Sequence, residues 1–116
     1  MIPRELLKGS LKSVVLKLLS ENGRMYGYEI TQKIEELSNG KIKLTYGALY
    51  PVLHKLESDG EVSTESENVN NRIRIYYLLT QKGDSLAAKR VEELAEFIET
   101  IGLILNPKPS PGANFC

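Results

Sequence analysis

Between Thr45 and Gly60 the chain reads Thr-Tyr-Gly-Ala-Leu-Tyr-Pro-Val-Leu-His-Lys-Leu-Glu-Ser-Asp-Gly. Thr45 is suited to cap a helix and Gly60 to stop one, and Leu49, Val52, Leu53 and Leu56 recur at helical spacing as a buried stripe. The face left to water carries Gly47, Tyr50, Pro51, His54 and Lys55, with Tyr46 at its start. Phenol, imidazole and ammonium groups on one helix face can hydrogen-bond and stack against a ligand. Bond-making chemistry lacks parts: the single histidine lies in this helix, no serine or cysteine has a spaced base, and no glycine-rich phosphate loop occurs. An enzyme is not expected.

Pro51 breaks a local rule. In a helix interior it removes one backbone hydrogen bond and crowds the carbonyl four residues back, at a cost of about 3 kcal/mol. That carbonyl belongs to Gly47, the residue type best able to yield. Departures from local consistency concentrate at working surfaces, so the front of this helix is a candidate site. A merely kinked packing helix is the alternative.

The chain of 116 residues supports one small domain that gains from dimerising. It shows no signal segment and no apolar run near the length of a membrane span, so a cytoplasmic protein is expected. Its single cysteine, Cys116, excludes an internal disulfide framework, and one cysteine with one histidine cannot furnish an ordinary structural zinc site. No metal and no cofactor are expected.

Lys and Arg equal Asp and Glu at 15 each, a balance that argues against a strongly basic nucleic-acid protein. The charge is unevenly placed, however. From Lys41 to Lys55 the only ionised groups are Lys41, Lys43 and Lys55, whereas Gln81–Leu105 carries a net excess of two negative charges. A local basic patch can meet phosphates on a neutral molecule, with a small salt dependence.

Other elements must position that helix. Ser10–Leu19 carries Leu11, Val14, Val15, Leu18 and Leu19 at helical spacing, and Asn22-Gly23 ends it. A second helix follows Gly27, with Ile30, Ile34 and Leu37 on one face, before Asn39-Gly40 breaks it. The short alternating Lys41–Leu44 suits a single bridge-like strand. Beyond Gly60, Glu61–Glu67 and Arg72–Leu79 suit the two strands of a hairpin around the turn-rich Asn68–Asn71, with Ile73, Ile75, Tyr77 and Leu79 on one face. Arg72 and Arg74 then share one side near the tip. They either face a ligand or solubilise an edge strand by pairing with Glu65 or Glu67.

Thr80 is a good N-cap for a helix running to Leu105, in which Ala87, Val91, Leu94, Ile98, Ile101 and Leu105 form a heptad seam. At about 25 residues this helix is about 37 Å long, more than a small domain covers by itself, and a second copy of the chain is the simplest partner. The alternative is that the first helix covers the whole seam. Residues 1–80 thus read as a winged-helix unit, 81–105 as a dimerisation helix, and the proline-rich 106–116 as a mobile tail.

Three helices, a hairpin and a long helix make a mainly α, winged helix-turn-helix plan, in which the second helix of the turn motif enters the major groove. The Thr45 helix holds that position. Its front can offer free backbone N–H groups to a phosphate while Tyr50 and His54 reach base edges. Lys43, Thr45 and Tyr46 at its start, and Arg72 and Arg74 on the hairpin, suit phosphates or the minor groove.

At the residue level the chain resembles the PadR-like transcriptional regulators. The resemblance rests on Tyr26-Gly27-Tyr28-Glu29-Ile30, on Gly47-Ala48-Leu49-Tyr50-Pro51-Val52-Leu53, on Leu56-Glu57-Ser58-Asp59-Gly60, and on Tyr76-Tyr77-Leu78-Leu79-Thr80 with Gly83. It implies a homodimer whose C-terminal helices embrace the partner's N-terminal region. Such a dimer would bind an inverted-repeat operator and usually repress transcription until a small-molecule effector loosens it. Carried over by position, the DNA-facing set is Tyr46, Tyr50, Pro51 and His54 with the two arginines. Tyr28, Tyr76 and Tyr77 are expected to be hydrogen-bonded core or hinge residues.

The single C-terminal helix matches the short subgroup, some of whose members hold flat aromatic compounds between tryptophans at the dimer interface. A small aromatic effector is the corresponding expectation, but this chain has no tryptophan, which argues against stacking of that type. The rival reading of the whole is a winged-helix protein–protein interaction module without sequence-specific DNA binding. The zero net charge fits it. The cluster of Lys43, Lys55, Arg72 and Arg74 opposes it, because a protein-binding groove more often presents aliphatic anchors.

Overall fold

A computed structural model describes residues 2–107, so most of the expected tail lies outside the described residues. The order is α1 (Arg4–Leu7), α2 (Leu11–Asn22), β1 (Met25–Tyr26), α3 (Gly27–Leu37), α4 (Tyr46–Ser58), β2 (Val62–Val69), β3 (Arg72–Leu79) and α5 (Gln81–Leu105). This is the mainly helical, winged plan that the spacing predicts. The core forms where α2, α3 and α4 bring Val15, Leu16, Ile30, Ile34, Leu49, Leu53 and Leu56 together beneath the sheet. Burying side chains of this size contributes about 1.5–3 kcal/mol each, which fixes the rotation of every helix about its axis.

Several details depart from the sequence reading. Helix α1 is additional, and Ile2 N–H donates to the Lys41 carbonyl at 3.0 Å, tying the chain start to the loop before α4. That loop is not a strand. Lys41–Leu44 is irregular, with Ile42 N–H donating to Ser38 Oγ at 3.0 Å while Ile42 and Leu44 pack against the core. The third strand is instead β1, which adds to the hairpin in the order β1-β3-β2, with Met25 opposite Tyr77 and Tyr26 opposite Tyr76. Two residues between helices are too few to show alternation, so only the pairing with β3 reveals them.

The hairpin turns on Asn70-Asn71, whose φ values of 51° and 64° fit a two-residue turn of the type that matches strand twist. Its register runs from Val62 opposite Leu79 to Val69 opposite Arg72. Tyr77 and Leu79 reach the core, but Ile73, on the same face nearer the tip, is 74% exposed because the wing projects past the helices. Leu37, the last residue of α3, is also exposed.

Thr80 caps α5, its Oγ1 accepting from Gly83 N–H at 3.1 Å. Gly83 lies so close to the Glu61 carbonyl that an added Cβ would overlap it. Beside it the buried Glu61 carboxylate pairs with Arg90 at 3.3 Å, joining the base of the wing to α5. The heptad seam divides: Ala87 is buried, Val91 and Leu94 are half-buried, whereas Ile98 and Leu105 are 61% and 79% exposed. Helix α2 packs on α5 but does not cover the whole seam.

Candidate nucleic-acid interface

Thr45 Oγ1 accepts from Ala48 N–H at 3.1 Å, satisfying one free donor at the front of α4 as its sequence predicts. With Leu49, Leu53 and Leu56 buried, the residues at 46, 50 and 54 stack along the opposite face at i, i+4 spacing. The Tyr46 and Tyr50 rings are 5.5 Å apart, and the Tyr50 and His54 rings 6.0 Å apart and within 24° of parallel. Gly47 and Pro51 are exposed beside them. The outer surface of α4 is therefore a continuous row of rings bearing two phenol hydroxyls and an imidazole.

Tyr46 differs from the other two. Its ring sits on Gly27, where an added Cβ would collide with it, and its hydroxyl lies near that of Tyr77. Burial foremost, with the neighbouring Tyr46 hydroxyl, pushes the Tyr77 hydroxyl well above the ordinary tyrosine range. Tyr46 is thus anchored at the junction of α3, α4 and the wing, while Tyr50 and His54 project from α4.

Cations flank the front of α4 on both sides. Lys43 lies with Thr45 and Ala48 toward α1, and on the other side an open groove of about 730 Å³ separates Tyr46 from Arg72, Ile73 and Arg74 of the wing. Lys55 is partly spoken for: its Nζ is 3.2 Å from Asp59 Oδ1, and Lys12 reaches the other oxygen at 3.4 Å. These contacts, the Lys55 hydrogen bond foremost, hold the Asp59 carboxyl below the usual carboxylate range.

The sequence reading missed an arrangement on the outer face of the sheet. The Arg24 guanidinium lies 3.9 Å over the Tyr76 ring, and the Arg74 guanidinium 4.1 Å over the Tyr26 ring. Tyr26 and Tyr76 meet edge to face at 5.5 Å. Arg24 also bonds Glu65 at 3.3 Å and Glu67 at 2.7 Å. So the alternative in which Arg72 and Arg74 pair with Glu65 or Glu67 does not hold: both glutamates pair with Arg24, and Arg74 lies along the sheet instead of projecting. Tyr28 is 63% exposed and is not a core residue, whereas Tyr77 is buried and Tyr76 half-buried. Pairing of residues 25–26 with 76–77 is the signal that would have disclosed this cluster.

The family profile described as "Transcriptional regulator PadR-like family" matches residues 15–89, which span the turn motif, the wing and the start of α5. The chain belongs to this family. The chain is similar to an uncharacterised protein of Lysinibacillus sphaericus, 32% identical over 90% of this chain and 96% of that one. A transcriptional regulator of Mycobacterium tuberculosis is 33% identical over 79% of this chain and 85% of its own. Among solved structures, a PadR family transcriptional regulator from Eggerthella lenta is 27% identical with a TM-score of 0.71, covering 90% of this chain and 88% of that one. A transcriptional regulator from Clostridium thermocellum reaches a TM-score of 0.76 at 25% identity, over 91% of this chain and 100% of that one. The PadR-like winged helix is thus a transcription-regulating fold, and among the described residues no helix is long and apolar enough to cross a membrane.

Proposed function

We propose that this PadR-like regulator binds an inverted-repeat operator as a homodimer and represses transcription, α4 lying in the major groove and the wing beside it. The observation that carries the reading is the row of Tyr46, Tyr50 and His54 on the exposed face of a capped helix, with cations on both flanks. Tyr50 and His54 supply donors and acceptors to base edges. Lys43, Arg72 and Arg74 meet phosphates, as do the backbone N–H groups at Thr45–Gly47, and Tyr46 holds the wing and helix at a fixed separation. Pro51 gives the same face an apolar contact.

The dimer rests on the distal half of α5, where Phe97, Ile98, Ile101, Leu103, Ile104 and Leu105 stand exposed. An apolar stripe of that extent is costly in water and suits a second copy of the chain. An apolar groove of about 610 Å³ between α1, α2 and α4, floored by Leu7, Leu11, Pro51 and Val52, offers the partner's helix a seat on the N-terminal region. A small aromatic effector entering between the copies would alter the spacing of the two α4 helices and so release the operator.

Fluorescence anisotropy against a labelled fragment of the protein's own upstream region, with scrambled competitor at about physiological salt, tests this reading. Competitor-resistant binding that Tyr50→Ala or His54→Ala abolishes is expected. Binding equal to that of the scrambled fragment overturns the sequence-specific reading and favours a partner protein on the same face of α4.

A further inference from the structure

The wing carries a charge problem that its own strands do not solve. Glu67 stands directly opposite Arg74, and Glu65 opposite Tyr76, two residues along the same face. Opposite charges on facing positions ordinarily pair across the strands. Had they done so here, Glu67 would neutralise one of the two cations that the wing offers to a phosphate. Yet among the described residues neither Arg72 nor Arg74 is in an ion pair.

Both carboxylates are taken up by Arg24, which belongs to neither α4 nor the wing. Its two terminal nitrogens divide between them, Nη1 to Glu65 at 3.3 Å and Nη2 to Glu67 at 2.7 Å, while the guanidinium plane rests on Tyr76. Arg74 turns the other way, stacking on Tyr26 with Nη1 at 3.5 Å from the Tyr76 hydroxyl. The planar, five-donor guanidinium is the side chain best suited to span two acceptors while stacked flat on a ring. Exposed pairs of this type add little to folding, so their effect is on where charge sits.

We infer that Arg24 is an internal counter-ion of the wing: by occupying Glu65 and Glu67 it leaves Arg72 and Arg74 unneutralised toward nucleic-acid phosphates. It is a positioning residue that need not touch DNA. The inference rests on the DNA-binding reading above, but not on any particular operator, because phosphate contacts are independent of sequence.

The test is a double-mutant cycle on full-length protein, read as affinity for a labelled duplex of arbitrary sequence over a series of salt concentrations. The four proteins are the wild type, Arg24→Gln, Glu65→Gln with Glu67→Gln, and the triple variant. Arg24→Gln is expected to weaken binding about tenfold and to lower the salt slope by about one, as the loss of one phosphate contact does. Neutralising both glutamates should change affinity less than about threefold when Arg24 is present, yet recover the loss when it is absent. Circular dichroism melting identifies any variant that has not folded, and Arg24→Lys, which keeps the charge but not the span, then replaces Arg24→Gln with the same expected loss and recovery. Equal gains from the glutamate changes in both backgrounds would reduce Arg24 to general charge and overturn the inference. So would unchanged binding by Arg24→Gln. A wild type that binds no duplex even at low salt removes the DNA-binding reading itself, and the inference with it.

Discussion

From Gln81 to Leu94, α5 lies against α2, with Ala87 in the core and Arg90 joined to the buried Glu61, whereas from Phe97 to Leu105 the same apolar spacing continues into solvent. Among the described residues the first half is tied to the body by packing, a cap and an ion pair, and the second by none of these. Apolar repetition at helical spacing therefore identifies a face that must be covered. It does not say what covers it. The first half is part of how the monomer folds, and the second is where the proposed dimer forms.

Core deletion is the largest effect that can sharpen this contrast. Leu16→Ala, at a fully buried site of α2, should cost about 2–5 kcal/mol in urea unfolding at every protein concentration. Ile98→Ala should shift stability by under about 0.5 kcal/mol within one chain. Its effect should appear as weaker dimerisation in sedimentation equilibrium and as a melting temperature that depends more steeply on concentration. Similar concentration-independent losses at both sites would break the division of α5.

Glycine replacement should give opposite signs in the two halves. Gly83→Ala forces a methyl into the Glu61 carbonyl and should cost about 1–3 kcal/mol. Gly102→Ala meets nothing within 4 Å and should gain about 0.5–1 kcal/mol from helix propensity. Urea midpoints of the two variants against wild type provide the check, and two losses would mean that the distal backbone is already covered.

The smallest effect is electrostatic. Lys55 and Lys12 hold the Asp59 carboxyl below its ordinary value of 3.8, so the stability it contributes is present above that value and is lost as pH falls through the lowered one. Asp59→Asn should therefore flatten the acid limb of stability measured by urea unfolding between neutral pH and about pH 3. An unchanged acid limb would place the pH-sensitive contacts elsewhere than at the junction of α2 and α4.

How much of this was legible in the sequence follows from the range over which each interaction acts. Thr45 and Thr80 bond amides three residues ahead, so their capping role is written locally, and Asn70-Asn71 marks its own turn. The buried stripe of α4 and the seam of α5 follow from spacing alone. Arg24 was invisible because its carboxylate partners lie 41 and 43 residues away, and only strand register brings them together. The two-residue β1 escaped for the same reason. Leu37 was misplaced because helical spacing predicts which residues share a face, while burial needs a neighbour opposite, and Tyr28 is exposed because an aromatic residue type does not by itself place a ring in the core. The exposed row of Tyr50 and His54 follows from spacing and residue type, but the anchoring of Tyr46 depends on Gly27, which lies in a different helix.

The Asn70-Asn71 turn also limits how the wing can change its reach over evolutionary time or under design. Because hydrogen-bonded and non-hydrogen-bonded pairs alternate along an antiparallel ladder, lengthening both strands by two residues next to the turn adds about 6.6 Å, keeps the closing pair of the same kind and leaves every existing partner in register. Adding a residue to one strand alone slips the pairing and exchanges inner and outer faces beyond that point. Tyr77 would then meet water while Tyr76 faced the core. The hairpin thus admits variation at its tip in matched pairs without altering the three helices beneath.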